Sequence, residues 1–473
     1  MTTTSCCKSS SSIASRYVDE LFGKWLGRED APMQVEEWQK GTATDFLEAR
    51  SYLLKQRPTI SPVHPRKPLP RLRRRSASVC DDEELVARWR AALCISGEDE
   101  GLELASFAPL ASEFCELPVV AGPLIFLKLA KKNNGRFVCL GDFLDFWRDL
   151  KKLKKKSHRL FEIIVSKSRG ISREDLDPLL KYVVSTHPGL AFLEEHLEFQ
   201  LKYSQTVVTR IFYRINLSRT GFVSRRELAK ANPCLVEALF RLESTDDVNA
   251  EVSYFSYEHF YVLYCCFWDL DSDKDGKLHR LDVLKYGGHR LSRAIVDRIF
   301  SFKDHLSYPD FVYFMLSEED KTTEASLRYW FDAVDLDGDG IISKHDARHF
   351  YDIQAQRMEC LGHEVVPLDD VLCQMADLLE VKTLRLSITH FLDKIRVSGV
   401  FFDALFSLDK FVAFEQRDPF AERLKRDDPF DTDWDRFAAA EYARLADDDD
   451  DPAASAAASA SAEGETNYGG ISS

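Results

Sequence analysis

Asp335-Leu-Asp-Gly-Asp-Gly-Ile-Ile-Ser-Lys-His-Asp346 is the stretch on which the reading of this 473-residue chain turns. Carboxylates occupy its positions 1, 3 and 5 (Asp335, Asp337 and Asp339), and Gly340 follows at position 6. That alternation lets three side chains close on one divalent cation, while the glycine permits the sharp turn that brings them together. Position 7, Ile341, offers only a backbone carbonyl; position 9, Ser343, is placed on the cation through water; position 12 is Asp346. A second stretch keeps the same register: Asp271, Asp273 and Asp275, then Gly276, with Lys277 at position 7, His279 at position 9 and Asp282 at position 12. Position 8 is apolar in both, Leu278 and Ile342.

This register begins an EF-hand loop, and calcium is the ion it predicts. Position 12 departs from the pattern, because Asp282 and Asp346 are one methylene shorter than the usual Glu and less able to offer both oxygens. Weaker binding, or admission of magnesium, is the expected consequence. Within 271–282 four Asp face Lys274, Lys277 and Arg280, a net of −1; within 335–346 four Asp face only Lys344, a net of −3. Since ligand charge tunes affinity, 335–346 is expected to bind more tightly. The plainer alternative is a pair of Asp-rich surface turns.

An EF-hand needs an amphipathic helix entering its loop. Leu327, Trp330, Phe331 and Val334 recur at helical spacing before one loop, and Phe260, Leu263, Tyr264 and Phe267 before the other. A third copy lies upstream: Val208, Ile211, Phe212 and Ile215 precede 216–227, with Gly221 at position 6 and Glu227 at position 12. Its positions 1, 3 and 5 are Asn216, Ser218 and Thr220, crowded by Arg219, Arg225 and Arg226, so this hand is expected to fold without metal. The segments opening at Leu306, Val252 and Leu386 read as loopless partner hands. The fold class expected is all-α: an elongated array of EF-hand-like helix-loop-helix units with short β bridges, flanked by disordered termini.

Composition sets the boundaries of function. A net charge of −15 argues against nucleic-acid binding, and no apolar run approaches the roughly twenty residues of a membrane helix. Eleven cysteines without a C-x-x-C pair fit reduced thiols and a cytoplasmic location, with nuclear or cytoskeletal association as a further expectation. Residues 1–79 read as a disordered region holding the basic Pro/Arg-rich run His64–Arg75, a nuclear-import candidate beside Ser76 and Ser78, and Cys6-Cys7 as a weak palmitoylation candidate. Then come a helical domain over 80–200, the EF-hand domain over 201–400, a helical segment over 401–446 and an acidic, Ala/Ser-rich tail over 447–473. No G-x-S-x-G, P-loop, H-E-x-x-H or dinucleotide glycine fingerprint occurs, and Gly141-Asp142 lacks the neighbours of a phosphoesterase signature. Intrinsic catalysis is not expected.

Several strings beyond the loops occur in the order found in a known family: Asp175-Leu-Asp-Pro-Leu-Leu180, Ser185-Thr-His-Pro-Gly-Leu-Ala-Phe192, Arg210-Ile-Phe-Tyr213, Tyr254-Phe-Ser-Tyr-Glu-His-Phe-Tyr261, Ser317-Glu-Glu-Asp-Lys321, Leu372-Cys-Gln-Met375, Glu415-Gln-Arg-Asp-Pro-Phe-Ala421 and Asp433-Trp-Asp-Arg-Phe-Ala438. Over roughly 115–445 the chain resembles the B″ regulatory subunits of serine/threonine protein phosphatase 2A. The resemblance implies a non-catalytic subunit that joins a scaffold and a catalytic subunit, directs the holoenzyme to phosphoprotein substrates, and responds to calcium. A calcium sensor or a cytoskeletal adaptor acting without the phosphatase are the competing functions. The 415–421 and 433–438 strings and the apolar stretch Phe114–Leu129 are read either as partner contacts or as internal packing, with Trp434 and Phe437 on one helical face.

Overall fold

Helix dominates because apolar residues recur at intervals of three and four between short polar loops. The structure, a computed structural model, describes residues 82–96, 101–133, 135–166, 169–193, 196–383, 385–416 and 430–450. Among these the only sheet is a two-stranded one, Ile341–Ile342 antiparallel to Leu386–Ser387. The segment 1–79, with its basic run and Cys6-Cys7, lies outside the described residues, as do 417–421 and the tail beyond 450.

Two hydrophobic clusters divide the chain. One gathers side chains from Leu85 to Cys265; the other gathers Tyr213 and residues from Leu263 to Trp434 and Ala438. The Tyr257–Leu270 helix belongs to both, with Phe260, Tyr261 and Tyr264 in the first cluster and Leu263 and Phe267 in the second. The closing helix Asp433–Asp450 also spans them, through Tyr442 and Leu445 on one side and Trp434 and Ala438 on the other. The boundaries expected at 200 and 400 therefore fall inside helices, Leu197–Ile215 and Ile395–Phe406, because those helices pack as single units. The boundary at 446 falls inside the closing helix, which continues to Asp450.

The Phe114–Leu129 stretch is core: Phe114, Leu117, Val120, Leu124, Ile125 and Phe126 are buried, leaving Val119 and Leu127 exposed. The partner-hand expectation holds at two of three places. Leu278 bridges Leu306, and Ile342 pairs with Leu386, so each acidic loop is backed by a loopless segment. The 216–227 loop instead bridges through Val223 to Ile171, not to the Val252 segment. Val252 is otherwise engaged, since its carbonyl accepts from the buried Arg210 guanidinium at 2.5 Å.

Arg210 shows how distant strings assemble. Its guanidinium also reaches the Tyr254 carbonyl (3.2 Å) and His259 Nδ1 (2.8 Å), and Trp434 Nε1 donates to the same nitrogen at 3.1 Å. Burial, with Arg210 close by, holds the His259 imidazole well below its usual range and so neutral. A neutral ring can accept at Nδ1, which is what both neighbours require. Trp434 is thus packed inside the protein, and the 433–438 string is an internal tie.

Candidate metal centres

The 335–346 loop begins where the Glu324–Val334 helix ends. Asp335 is buried there, and its two oxygens accept the amides of Gly338 (2.9 Å) and Gly340 (2.8 Å). Asp337 Oδ1 accepts the Asp339 amide at 3.2 Å, and Asp339 Oδ1 the Ile341 amide at 2.8 Å. Each acidic side chain is thereby turned inward by a backbone N–H two to five residues on. The three carboxylates converge, one oxygen from each lying within 4.8 Å of the others. Burial, joined by the facing Asp337 carboxylate, raises the Asp335 pKa in spite of the two amides. Like charges gathered this closely fit a divalent cation between them.

Asp346 and Ser343 do something else. Asp346 Oδ2 accepts the Ser343 amide (2.8 Å) and hydroxyl (2.6 Å), a capping box that starts the Lys344–Cys360 helix. Its Oδ1 takes the Leu336 amide at 3.3 Å. Burial works against these bonds, yet they prevail and hold the carboxyl below its usual pKa. Asp346 is therefore ionised and pinned at the helix start, outside the converging set, and Ser343 is turned to it rather than to the loop interior. Glu227, at the same position of the 216–227 loop, makes the same capping box with Ser224 and also reaches Ser218 and Asn216 across its loop, whereas the shorter Asp346 reaches only the Leu336 amide.

The 271–282 loop follows the same path with different contents. Asp271 is fully buried; its Oδ2 takes the Gly276 amide at 2.9 Å, and Oδ1 makes no hydrogen bond. Burial, and the facing Asp273 and Asp275, push its pKa up to about 6 against the help of that amide. Asp275 Oδ1 accepts the Lys277 amide at 2.7 Å. Asp282 is committed as Asp346 is, to the His279 amide (3.0 Å) and the Ser272 hydroxyl (3.1 Å). The groups that converge here are Asp273, Asp275 and His279. Position 9 reads in the sequence as acting through water; here His279, next to the Leu278–Leu306 bridge, has its ring beside the carboxylates.

A further distinction lay unread at position 4. All three loops turn left-handed there: Arg219 at φ 52°, Lys274 at φ 59° and Gly338 at φ 70°. An L side chain in that region costs about 1–2 kcal/mol, and glycine escapes the cost. The 335–346 loop thus adopts the ligating path with less strain, which reinforces the charge ranking. The 216–227 loop holds the same path without acidic residues at positions 1, 3 and 5. Glu227 reaches across it, accepting from the Ser218 hydroxyl (2.7 Å) and amide (3.2 Å) and from Asn216 Nδ2 (3.3 Å). Its centre is filled by hydrogen bonds.

Comparison with known proteins agrees with this geometry. Residues 155–245 match an EF-hand domain and residues 260–351 an EF-hand domain pair. The chain is 40% identical over 361 residues to the probable B″delta regulatory subunit of serine/threonine protein phosphatase 2A from Arabidopsis thaliana, covering 74% of this chain and 67% of that protein. It is 38% identical over 362 residues to the human B″ alpha regulatory subunit of the same phosphatase, covering 74% of this chain and 31% of that longer protein. A solved chain from a PP2A PR70 holoenzyme, described with "diCa", shares 38% identity at a TM-score of 0.52, covering 55% of this chain and 98% of that one. The chain therefore belongs to the B″ family of regulatory subunits of serine/threonine protein phosphatase 2A.

Proposed function

We propose that this chain is a calcium-responsive subunit that joins the scaffold and catalytic subunits of the phosphatase and directs the holoenzyme to phosphoprotein substrates, leaving dephosphorylation to its partner. The observation that carries the reading is the convergence of Asp335, Asp337 and Asp339 in a chain whose solved relative comes from a PP2A holoenzyme described with "diCa". Bound calcium supplies the positive charge that three facing carboxylates otherwise lack. This chain's own residues do the rest: Asp335 closes the end of the Glu324–Val334 helix, Asp346 opens the Lys344–Cys360 helix, and Ile342 ties the loop to Leu386. Ordering the loop fixes the angle between those two helices. The cytoplasm, with nuclear or cytoskeletal association, is the proposed location.

The test is co-purification with a scaffold–catalytic core by size-exclusion chromatography, in saturating calcium and in chelator. Calcium-dependent co-elution supports the reading; equal co-elution in both keeps the subunit and makes the hands structural. Absence of co-elution in both refutes it in favour of a sensor or adaptor that acts alone.

A further inference from the structure

Residues 150–160 hold six cationic side chains, Lys151, Lys152, Lys154, Lys155, Lys156 and Arg159, and no acid, in a chain whose net charge is −15. They join the Leu140–Lys151 helix to the Lys156–Ile164 helix. Leu160, Phe161, Ile163 and Ile164 anchor the second helix in the first hydrophobic cluster. Arg159 ties down the turn before it: its guanidinium donates to the carbonyls of Leu153 (2.9 Å) and Cys115 (3.1 Å) and pairs with Glu116 at 2.9 Å. The backbone of the turn is thus held, with Lys154, Lys155 and Lys156 exposed on it.

The cations around this turn differ in whether a carboxylate balances them. Lys152 pairs with Asp149 at 2.6 Å and Arg159 with Glu116. Arg225, on the Arg225–Lys230 helix packed alongside, pairs with Glu162 and lies 5.5 Å from the centroid of the Phe161 ring. Among the described residues no carboxylate pairs with Lys154, Lys155 or Lys156; the Lys156 ammonium stands 4.9 Å from the centroid of the Phe240 ring. The Lys156–Ile164 helix has neither a side-chain cap nor an acid in its first turn, so its positive end adds to the lysine charge. His158 registers that field: burial first, then the Arg225 and Lys155 charges, hold its imidazole below the usual range.

Three lysines in a row span about 10 Å at most, the reach of a short peptide segment. A nucleic acid or an anionic membrane presents a far larger field of negative charge, which a chain of net charge −15 repels. A phosphoserine brings a compact charge of about −1.5 to −2 with three acceptor oxygens, and lysine ammoniums bind phosphoryl groups as point charges. We propose that Lys154, Lys155 and Lys156 form a docking surface for an acidic, phosphoserine-bearing segment of a substrate protein. This rests on the reading of the chain as a substrate-directing phosphatase subunit, and names the chemistry by which it selects.

The test uses the full chain and a fluorescein-labelled acidic peptide carrying two phosphoserines, followed by anisotropy at physiological salt. The peptide should bind, and more weakly as salt rises. Lys154→Ala/Lys155→Ala/Lys156→Ala should lose about tenfold in affinity, the scale of three exposed ion pairs, while Lys154→Arg/Lys155→Arg/Lys156→Arg should bind as the wild type does. All three side chains are exposed, so both variants keep the fold, which circular dichroism monitors. The pKa of His158, followed by NMR, should rise on binding as phosphoryl charge offsets Arg225 and Lys155. Equal affinity in wild type and the alanine variant, no loss when the phosphoryl groups are removed, or tighter binding to phosphatidylserine vesicles than to the peptide overturns the proposal. The alanine variant is also passed through co-purification with the scaffold–catalytic core: retained co-elution supports a surface given to substrate, and lost co-elution assigns it to the core and overturns the proposal. A wild-type chain that co-elutes with the core and ignores the peptide refutes this proposal alone and leaves the assembly reading standing.

Discussion

Lys321→Met offers a sharp test of how the EF-hand pair is fixed to the C-terminal helices. Lys321 is buried; its ammonium lies 2.6 Å from Glu318 Oε2 and 3.0 Å from Asp403 Oδ1, and stands over the Trp330 and Phe406 rings, 5.5 and 5.7 Å from their centroids. Lys410 lies 3.2 Å from both Glu318 and Glu319, and Arg290 2.8 Å from Glu319. Three cations thus balance three anions: Glu318, Glu319 and Asp403. Methionine keeps the packing and leaves one buried negative charge uncompensated, a change worth about 3–5 kcal/mol. Burial already raises the Asp403 pKa, so its ionised form is the costly one in the folded state. On acidification the folded protein takes up this proton before the unfolded chain does, whose Asp titrates near 3.9. The deficit of the variant should therefore shrink as pH falls from about 7.5 toward 5. Urea unfolding at both pH values measures it, together with Lys321→Met/Asp403→Asn, which should recover part of the loss. A deficit below about 1 kcal/mol, within the range of an exposed pair, or a double variant no better than the single one, would refute the argument.

Calcium titration of Asp335→Ala should show a larger loss of binding than that of Asp271→Ala, because the 335–346 loop carries the greater negative charge and the glycine at position 4; the reverse order overturns the ranking. Trp434→Ala empties a buried site and removes the donor to His259, so urea unfolding should register about 3–5 kcal/mol. Glu227→Gln should weaken protection of the 216–227 amides in hydrogen exchange by about 1.5 kcal/mol, the low end for bonds to a charged group, and leave calcium stoichiometry unchanged. Burial raises the Glu227 pKa but the Ser224 and Ser218 bonds outweigh it, so the folded value is lowered; the loop's stabilisation is full above the unfolded value of about 4.3 and disappears as pH falls through the lower folded one.

The hands were legible because their signal is local. Position 1, 3, 5 and 6 residues, the apolar stripe of the entering helix and the apolar position 8 all lie within about two dozen residues, the span of one helix-loop-helix unit. Register alone could not show that position 12 also caps the following helix, a bond that Asp346 makes to the Ser343 amide and hydroxyl and that Glu227 makes to Ser224 in the third loop. The approach of His279 to Asp273 and Asp275 was not legible for a related reason, since the residue follows the bridge from Leu278 to Leu306, a partner twenty-eight residues away in sequence. The left-handed residue at position 4 was present in the sequence as Gly338, and only its coincidence with Lys274 and Arg219 reveals a requirement common to all three loops. The boundaries expected at 200 and 446 fall inside helices whose side chains enter both hydrophobic clusters. Nothing in the composition of Leu197–Ile215 marks such sharing.

That sharing bears on how an event at a loop reaches the rest of the chain. Asp271 caps the end of the Tyr257–Leu270 helix, taking part in the last turn through its amide on the Phe267 carbonyl. Phe260 and Tyr264 of this helix lie in the first hydrophobic cluster and Leu263 and Phe267 in the second, so a rotation of the helix must be absorbed in both cores. His259, on its first turn, receives both Arg210 and Trp434, which ties the closing helix to the same pivot. The second loop has a parallel route. Arg298 donates to the carbonyls of Ala333 (3.1 Å) and Asp335 (2.8 Å), and its neighbour Asp297 holds Arg280 of the first loop at 3.2 Å. The two loops are therefore joined by one short helix, Arg293–Ile299, whose adjacent residues contact each of them. Coupling between the sites needs no long-range wire: removing Arg298 should alter the dependence of one loop's affinity on occupancy of the other, and equal affinities with the partner loop filled or empty in the wild type would show that this helix transmits nothing.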